Sequence, residues 1–321
     1  MKTISLAAAF ISIVTLMSFS SQSCNEKAKA VESKSVTASH TLTNAPFLLS
    51  DEFKNYWYAG KAELNSYKLQ QARYGEIHDG TAVLVFVTED FSGSKQVKLD
   101  HPENAGEDKL PVMKLNFTKK FVTGIYPYSM MLSSFSPVDI SNYPHAIKTT
   151  ASVQEWCGMT YTQLNQRNNK NEIISRSYFE DEGDKSLSFD VSLTEDELWN
   201  LIRIAPDRLP TGDQKVLPGS LFTRLSHVPL QIQDAKLRLD KREEKNLYFI
   251  EYPALKYLLV ITFTNKFPYK IIGWEETFPG FDGKSLTTTA TLDKTIMLDY
   301  WNHNHKEDRS LRTQLDLPEN L

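Results

Sequence analysis

Cysteine is nearly absent: Cys24 and Cys157 are the two in a chain of 321 residues. So few thiols exclude a disulfide framework, CxxC redox chemistry and any multi-cysteine zinc site. Also missing are a GxSxG nucleophile elbow, a GxxxxGK[ST] phosphate loop, a GxGxxG turn and an HExxH helix. Past the N-terminus no stretch reaches the roughly 18 consecutive apolar residues of a membrane helix. No repeat of fixed period is visible. The formal net charge of −4 is mild and mixed in sign, which excludes the basic footprint of a nucleic-acid binder.

The one long apolar run is N-terminal. Met1-Lys2 gives a positive start, Ile4 to Phe19 are mostly apolar, and Ser20, Ser21, Gln22 and Ser23 lead to Cys24. The pattern predicts a lipoprotein signal peptide over 1–23, with Cys24 acylated as the first mature residue. A soluble secreted protein cut near Ser23 and an uncleaved membrane helix are the alternatives. Two or more acyl chains anchor stably where one does not. Residues 24–45 are polar and without hydrophobic period, the composition of a flexible tether. Loss of Lys2 takes the charge from −4 to −5. The expectation is an exported protein anchored to the cell envelope, at the outer membrane. Its expected partners are the membrane, through Cys24, and an apolar ligand or envelope protein. No nucleic acid, cofactor or metal is expected.

The remainder, 46–321, reads as mainly β. Phe (17) and Tyr (14) are plentiful and Thr is frequent, a bias that suits strands. The expected architecture is extended antiparallel sheet, curved as a half-barrel or packed as a sandwich, with one capped central helix over about 194–205. A division into two halves near 206–220 is possible from its Pro/Gly content. His78-Asp79-Gly80 predicts a turn pairing 72–77 with 81–86. Asn168-Asn169-Lys170 predicts a second hairpin between 158–167 and 171–179. Further strands are expected over 246–252, 257–264, 269–278, 285–292 and 295–301, with a turn at Asp282-Gly283. Thr194 and Glu197 form a capping box, Leu193 and Leu198 a hydrophobic staple. Leu198, Leu201, Ile202 and Ala205 supply the apolar stripe. A shorter helix is predicted after Ser50.

Candidate chemistry is sparse. Cys157 is a nucleophile only if a base such as His145 or His227 lies beside it; otherwise it is a small buried hydrophobe. His303 and His305 are an incomplete zinc set. Glu180 to Asp184 lack the spacing of a calcium loop. Glu275 and Glu276 alternate to opposite faces of a strand. Tyr126, Tyr128 and Trp156 are the candidate ligand-binding residues, against a plain packed core. The expected function is a binding or structural module, with an envelope hydrolase of unrecognised site as the alternative.

Three segments carry a resemblance: residues 56–91, GIYPYSMMLSSFSPV (124–138) and VQEWCGMTYTQLN (153–165). They resemble a family of Bacteroidota lipoproteins of uncharacterised activity, over most of the chain after the tether. Members often carry the label "septum formation inhibitor Maf". Maf proteins are cytoplasmic nucleotide pyrophosphatases with an SxSPRR-type motif near the N-terminus, and this chain has no such motif. The resemblance therefore transfers no functional residue and makes pyrophosphatase activity the least expected reading. A looser similarity, of fold only, is to LolA-type lipid carriers, whose curved sheet wraps an apolar cavity.

Overall fold

The computed structural model describes residues 47–280 and 283–319. The signal peptide, Cys24 and the tether lie outside the described residues, as does Asp282 of the expected Asp282-Gly283 turn. Among the described residues no helix is long and apolar enough to cross a membrane.

Four two-residue turns, several longer connections and alternating side chains build one large sheet. Its first meander comprises β1 (Ala62–Arg73), β2 (Glu76–Ser92), β3 (Lys109–Thr123), β4 (Tyr126–Pro137), β5 (Lys148–Glu155), β6 (Gly158–Arg167), β7 (Lys170–Arg176) and β8 (Lys185–Asp190). The short β9 (Leu193–Thr194) follows, parallel to β10 (Gly212–Leu217). The second meander continues through β11 (Gln233–Lys241), β12 (Lys245–Tyr252), β13 (Tyr257–Thr264), β14 (Ile271–Pro279) and β15 (Ser285–Leu298). The order across the sheet is β8 to β1, then β15 down to β9. The β1–β15 ladder alone joins the two meanders.

The expected half-barrel or sandwich is not what forms. The 15 strands make an open sheet, not strongly curled and not closed, with β8 and β9 at its ends. Antiparallel sheets this extensive must protect their edges, and closing or curling is one way to do so. Here the edges are blunted differently: β9 has two residues, and the six of β8 include exposed Lys185 and Asp190. Short, charged edges suffice to discourage further pairing.

The expected helix content, one capped central helix and a shorter one after Ser50, is also corrected. Three α-helices and six 3-10 helices occur among the described residues. α1 (Asp51–Trp57) is the short helix anticipated after Ser50, whose Oγ accepts from Phe53 N–H at 3.1 Å. α2 (Glu195–Ile204) is the central one, with both halves of the Thr194–Glu197 capping box formed. α3 (Ser220–Ser226) carries little sequence signal, being seven residues long and without a side-chain cap.

Local turn chemistry corrects two strand expectations. The β1–β2 turn is Tyr74-Gly75, with φ of 54° and 80°, while His78, Asp79 and Gly80 lie inside β2. Paired positive φ values match the twist of a tight hairpin. Gly80 serves close approach instead: a Cβ there would lie 2.5 Å from Lys120 O in β3. The strands expected over 285–292 and 295–301 are one strand, β15, whose register shifts at Asp293 opposite Ser66 and Tyr67. The Asn168-Asn169 hairpin forms as expected, with φ of 51° and 55°, and Lys170 pairs with Arg167.

Strand alternation gives the sheet one face packed under the α-helices and a second covered only in part. Ala82, Leu84 and Phe86 of β2 join the main core with Tyr67, Leu115, Phe117 and Trp274, beneath α1, α2 and α3. Val87 and half-buried Val85 face the other way. There they meet Leu64, Ile296 and Leu315, the last from a 3-10 helix over Glu307–Leu315.

α2 is the hub of the main core. Nine of its ten residues are buried, so its polar side chains must find partners inside the protein. Each reaches a different element. Asn200 Nδ2 donates to Met113 O (3.2 Å) and Ser134 O (3.1 Å). Glu197 accepts from Ala146 N–H at 2.8 Å and pairs with His145 Nδ1 at 2.8 Å. Asp196 accepts from Ser220 of α3, by N–H at 3.2 Å and by Oγ at 2.5 Å. Arg203 grips Glu63 of β1 at 2.8 Å.

Candidate functional site

Antiparallel meanders put alternate turns at one end of the sheet. The β1–β2, β3–β4, β5–β6 and β7–β8 turns share that end with the β12–β13 and β14–β15 connections. Large apolar side chains are exposed there: Ile125 (82%), Trp156 (68%) and Tyr178 (68%). Isolated exposed apolar residues are ordinary; a cluster on one rim is informative.

Tyr126, Tyr128 and Trp156 lie together at this rim. The Tyr126 ring is 5.8 Å from Tyr128 and 6.3 Å from Trp156. Tyr126 and Tyr128 project from one face of β4, while Trp156 sits on the β5–β6 turn. Tyr128 is buried and stacks on Phe121 at 4.7 Å. Gly158, just after the turn, permits close packing of Tyr178, whose ring would meet an added Cβ at 2.7 Å.

Two residues missed in the sequence complete the cluster. Tyr74 Oη lies 2.8 Å from Tyr128 Oη and accepts from Tyr126 Oη at 3.2 Å. Arg73 lies 4.3 Å from the centre of the Tyr74 ring and donates to Leu225 O of α3. Burial acts to raise the Tyr74 hydroxyl pKa, but hydrogen bonds from Tyr126 and Tyr128 and the Arg73 charge outweigh it. The net effect is a lowered value.

Arg73 and Tyr74 also border a cavity of about 270 Å³. Phe222 and Leu225 of α3, Tyr257, Phe278 and Leu286 give it apolar walls. Phe222 stacks on Tyr257 at 3.6 Å. Glu276 and Thr288 supply polar points on the lining. Glu276 accepts from the buried Lys119 Nζ at 2.6 Å, and Thr288 Oγ1 accepts from Gln71 at 2.9 Å. A small volume with mostly apolar walls and few polar groups is the form of a ligand pocket.

Behind Tyr257 lies an acidic pair. Tyr257 Oη donates to Glu195 Oε1 at 3.2 Å. Burial, then the charge of Asp196, push Glu195 up to about 8. Burial likewise raises Asp196 to about 6, against the hydrogen bonds from Ser220. Such displaced carboxyls are enriched at working sites, though buried networks also produce them.

Lys119 had a readable signal. Met113, Leu115, Phe117, Lys119 and Phe121 share one face of β3 by period-two alternation, and the lysine breaks the apolar series. Glu195 and Asp196 had none, because the first turn of a helix favours acids anyway.

The other sequence candidates do not converge on a reactive centre. Cys157 is exposed, and its thiol pKa is raised, first by hydrogen bonding to Glu155. That moves it away from thiolate. His145 pairs with Glu197, and His227 with Glu182 of the acidic loop, both at 2.8 Å. Glu275 is exposed while Glu276 turns inward, as alternation required. His303 pairs with Asp299 at 3.3 Å and Asp308 at 3.2 Å. Among the described residues no group of three or more His, Cys, Asp or Glu is placed to hold a metal ion. A scan against protein-family models finds no match for this chain, and a search of curated proteins finds none either.

Proposed function

We propose that this chain is a lipid-anchored protein of the cell envelope whose folded part binds an apolar ligand. The anchor is Cys24, acylated after removal of residues 1–23, and the membrane is the outer one. The ligand enters between the turns that carry Tyr74, Tyr126 and Trp156 and lodges against Phe222, Tyr257 and Leu286. The carrying observation is the continuity of the exposed aromatic cluster with the apolar cavity through Arg73 and Tyr74. Exposed rings on a rim that leads to an apolar cavity give an apolar molecule a continuous path out of water. The family resemblance to envelope lipoproteins agrees with this reading, and capture of an envelope protein by the same rim is its close variant.

Native mass spectrometry of the full chain, released from membranes in mild detergent, tests the ligand. The expected result is a co-purifying apolar species that Leu286→Trp expels. A clean unliganded mass for the unaltered chain counts against it. Fractionation tests the anchor separately: Cys24→Ser should move the protein out of the membrane fraction. A serine variant as tightly bound as the original refutes acylation at Cys24.

Hydrolysis is the second reading. It is favoured by the displaced Glu195 beside Asp196 and close to Glu276, carboxyls suited to proton transfer near neutral pH. Turnover of ester or amide substrates that Glu195→Gln abolishes, in a protein still folded, supports it.

A further inference from the structure

We infer that the face of the sheet opposite the α-helices holds a second ligand site, fitted to a single-chain amphiphile with an anionic head, such as a medium-chain fatty acid. A cavity of about 340 Å³ lies there, beneath the 3-10 helix Glu307–Leu315. Leu64, Val83 and Ile296 of the strands form its floor, and Leu311, Leu315 and Leu317 its roof. The roof is only partly seated: Leu315 is buried against Leu64, whereas Leu311 and Leu317 are half-buried. Volume therefore remains where the roof passes over β2 and β3.

The rim supplies the charge. Lys120 and Arg312 border the cavity, and neither has an ion-pair partner among the described residues. Among the described residues Asp308 is the one carboxylate on the lining. It is already held by His303 Nδ1 at 3.2 Å and His305 N–H at 3.0 Å. Thr81 and Thr118 add hydroxyls near Lys120. The lining thus sets two cations without a carboxylate partner among the described residues, one of them Arg312 with its Nε donating to Pro318 O at 2.7 Å, beside mostly apolar side chains. A carboxylate can settle on Lys120 and Arg312 while its chain enters among the leucines.

This site is distinct from the cavity at the turn end. Lys119 and Lys120 are neighbours in β3, so their side chains leave opposite faces of the sheet. Lys119 meets Glu276, on the lining of the first cavity, and Lys120 borders the second. Size sets the chain length. At roughly 30 Å³ per methylene, similar to a water's share of liquid volume, the chamber holds about a dozen carbons.

The test is a titration of the full chain with dodecanoate carrying carbon-13 at its carboxyl, followed by NMR. A saturable bound signal is expected. Lys120→Glu with Arg312→Gln should weaken binding by at least about tenfold. Dodecanol should bind weaker by a similar factor, because it lacks the anionic head. Val83→Trp should fill the chamber and abolish binding, whereas Leu286→Trp, in the first cavity, should leave it intact. Lys120 is exposed, so charge reversal there keeps the fold even if Val83→Trp does not. Absence of a saturable signal overturns the inference. So does equal affinity for dodecanol, indifference to the Lys120/Arg312 pair, or loss on Leu286→Trp alone.

Discussion

Arg203 of α2 and Glu63 of β1, 140 residues apart, meet as a fully buried ion pair with two contacts of 2.8 Å. Burial acts against the Glu63 charge, but Arg203, Tyr56 and Asn65 together hold its pKa down at about 2. Arg203 also donates from Nε to Pro268 O at 3.0 Å and lies over the Phe86 and Trp57 rings. Removing one partner strands a charge in the core. Glu63→Gln should therefore cost about 3–5 kcal/mol in urea unfolding, and the double variant Glu63→Leu/Arg203→Met should recover most of it. A single-variant loss under about 1 kcal/mol refutes this.

Glu195 sets a pH dependence of the opposite kind from a surface acid. Its folded pKa, about 8, lies above the ordinary glutamate value. Between the two values the folded state binds more protons than the unfolded one, so stability falls as pH rises. Asp196, raised to about 6, acts in the same direction over a narrower window. His145, raised by Glu197 against burial, also loses its contribution as pH climbs through its folded value. Thermal midpoints should decline from pH 5 to pH 9, and Glu195→Gln should flatten the decline. A midpoint that rises over that range contradicts the assignment.

Glu195 and Arg203 also mark where reading the sequence stopped. The capping box and apolar stripe of α2 were legible because they depend on spacing within one helix. The burial of its polar residues has no such local signal. They are buried because the sheet, α3 and the 145–146 loop each meet one of them, and those contacts span tens of residues. Hairpins with two asparagines were legible for the same local reason. The Tyr74-Gly75 turn was not, since Asp79-Gly80 offered an equally good local motif, rejected by the β1 register that sets Gly80 opposite Leu69 and by the pairing with β3 that sets it opposite Phe121. Tyr126, Tyr128 and Trp156 were identifiable as aromatics, but their meeting with Tyr74 and Arg73 required the order of β1 to β5.

Gly80→Ala tests that pairing. The added methyl meets Lys120 O at 2.5 Å and Phe121 Cβ at 2.9 Å, both across the β2–β3 ladder. Backbone must move, so a loss of about 1–3 kcal/mol is expected. Gly75→Ala, at a positive φ with open space around it, should cost about 1 kcal/mol through conformation alone. Equal, negligible losses at both positions refute the distinction.

Trp156 separates binding from stability. Its side chain is mostly exposed and its nearest ring is Tyr126. Trp156→Ser should change unfolding free energy by no more than about 0.5 kcal/mol, while reducing retention of the co-purified apolar species. Unchanged retention shows that the exposed ring plays no part in capture.

The β1–β15 ladder imposes an order of events on a chain delivered N-terminus first. β1 to β8 can zip as successive local hairpins as soon as they emerge. One edge of β1, a 12-residue strand, stays unsatisfied until residues 285–298 arrive. For that interval the protein presents an open template to any passing strand. Arrival of β15 closes the β1 edge, buries Ala290 in the main core and sets Ile296 against Leu64. Without β15, β1 and β14 each keep an unpaired edge, so truncation before residue 285 leaves two open templates where the finished sheet has none between its meanders.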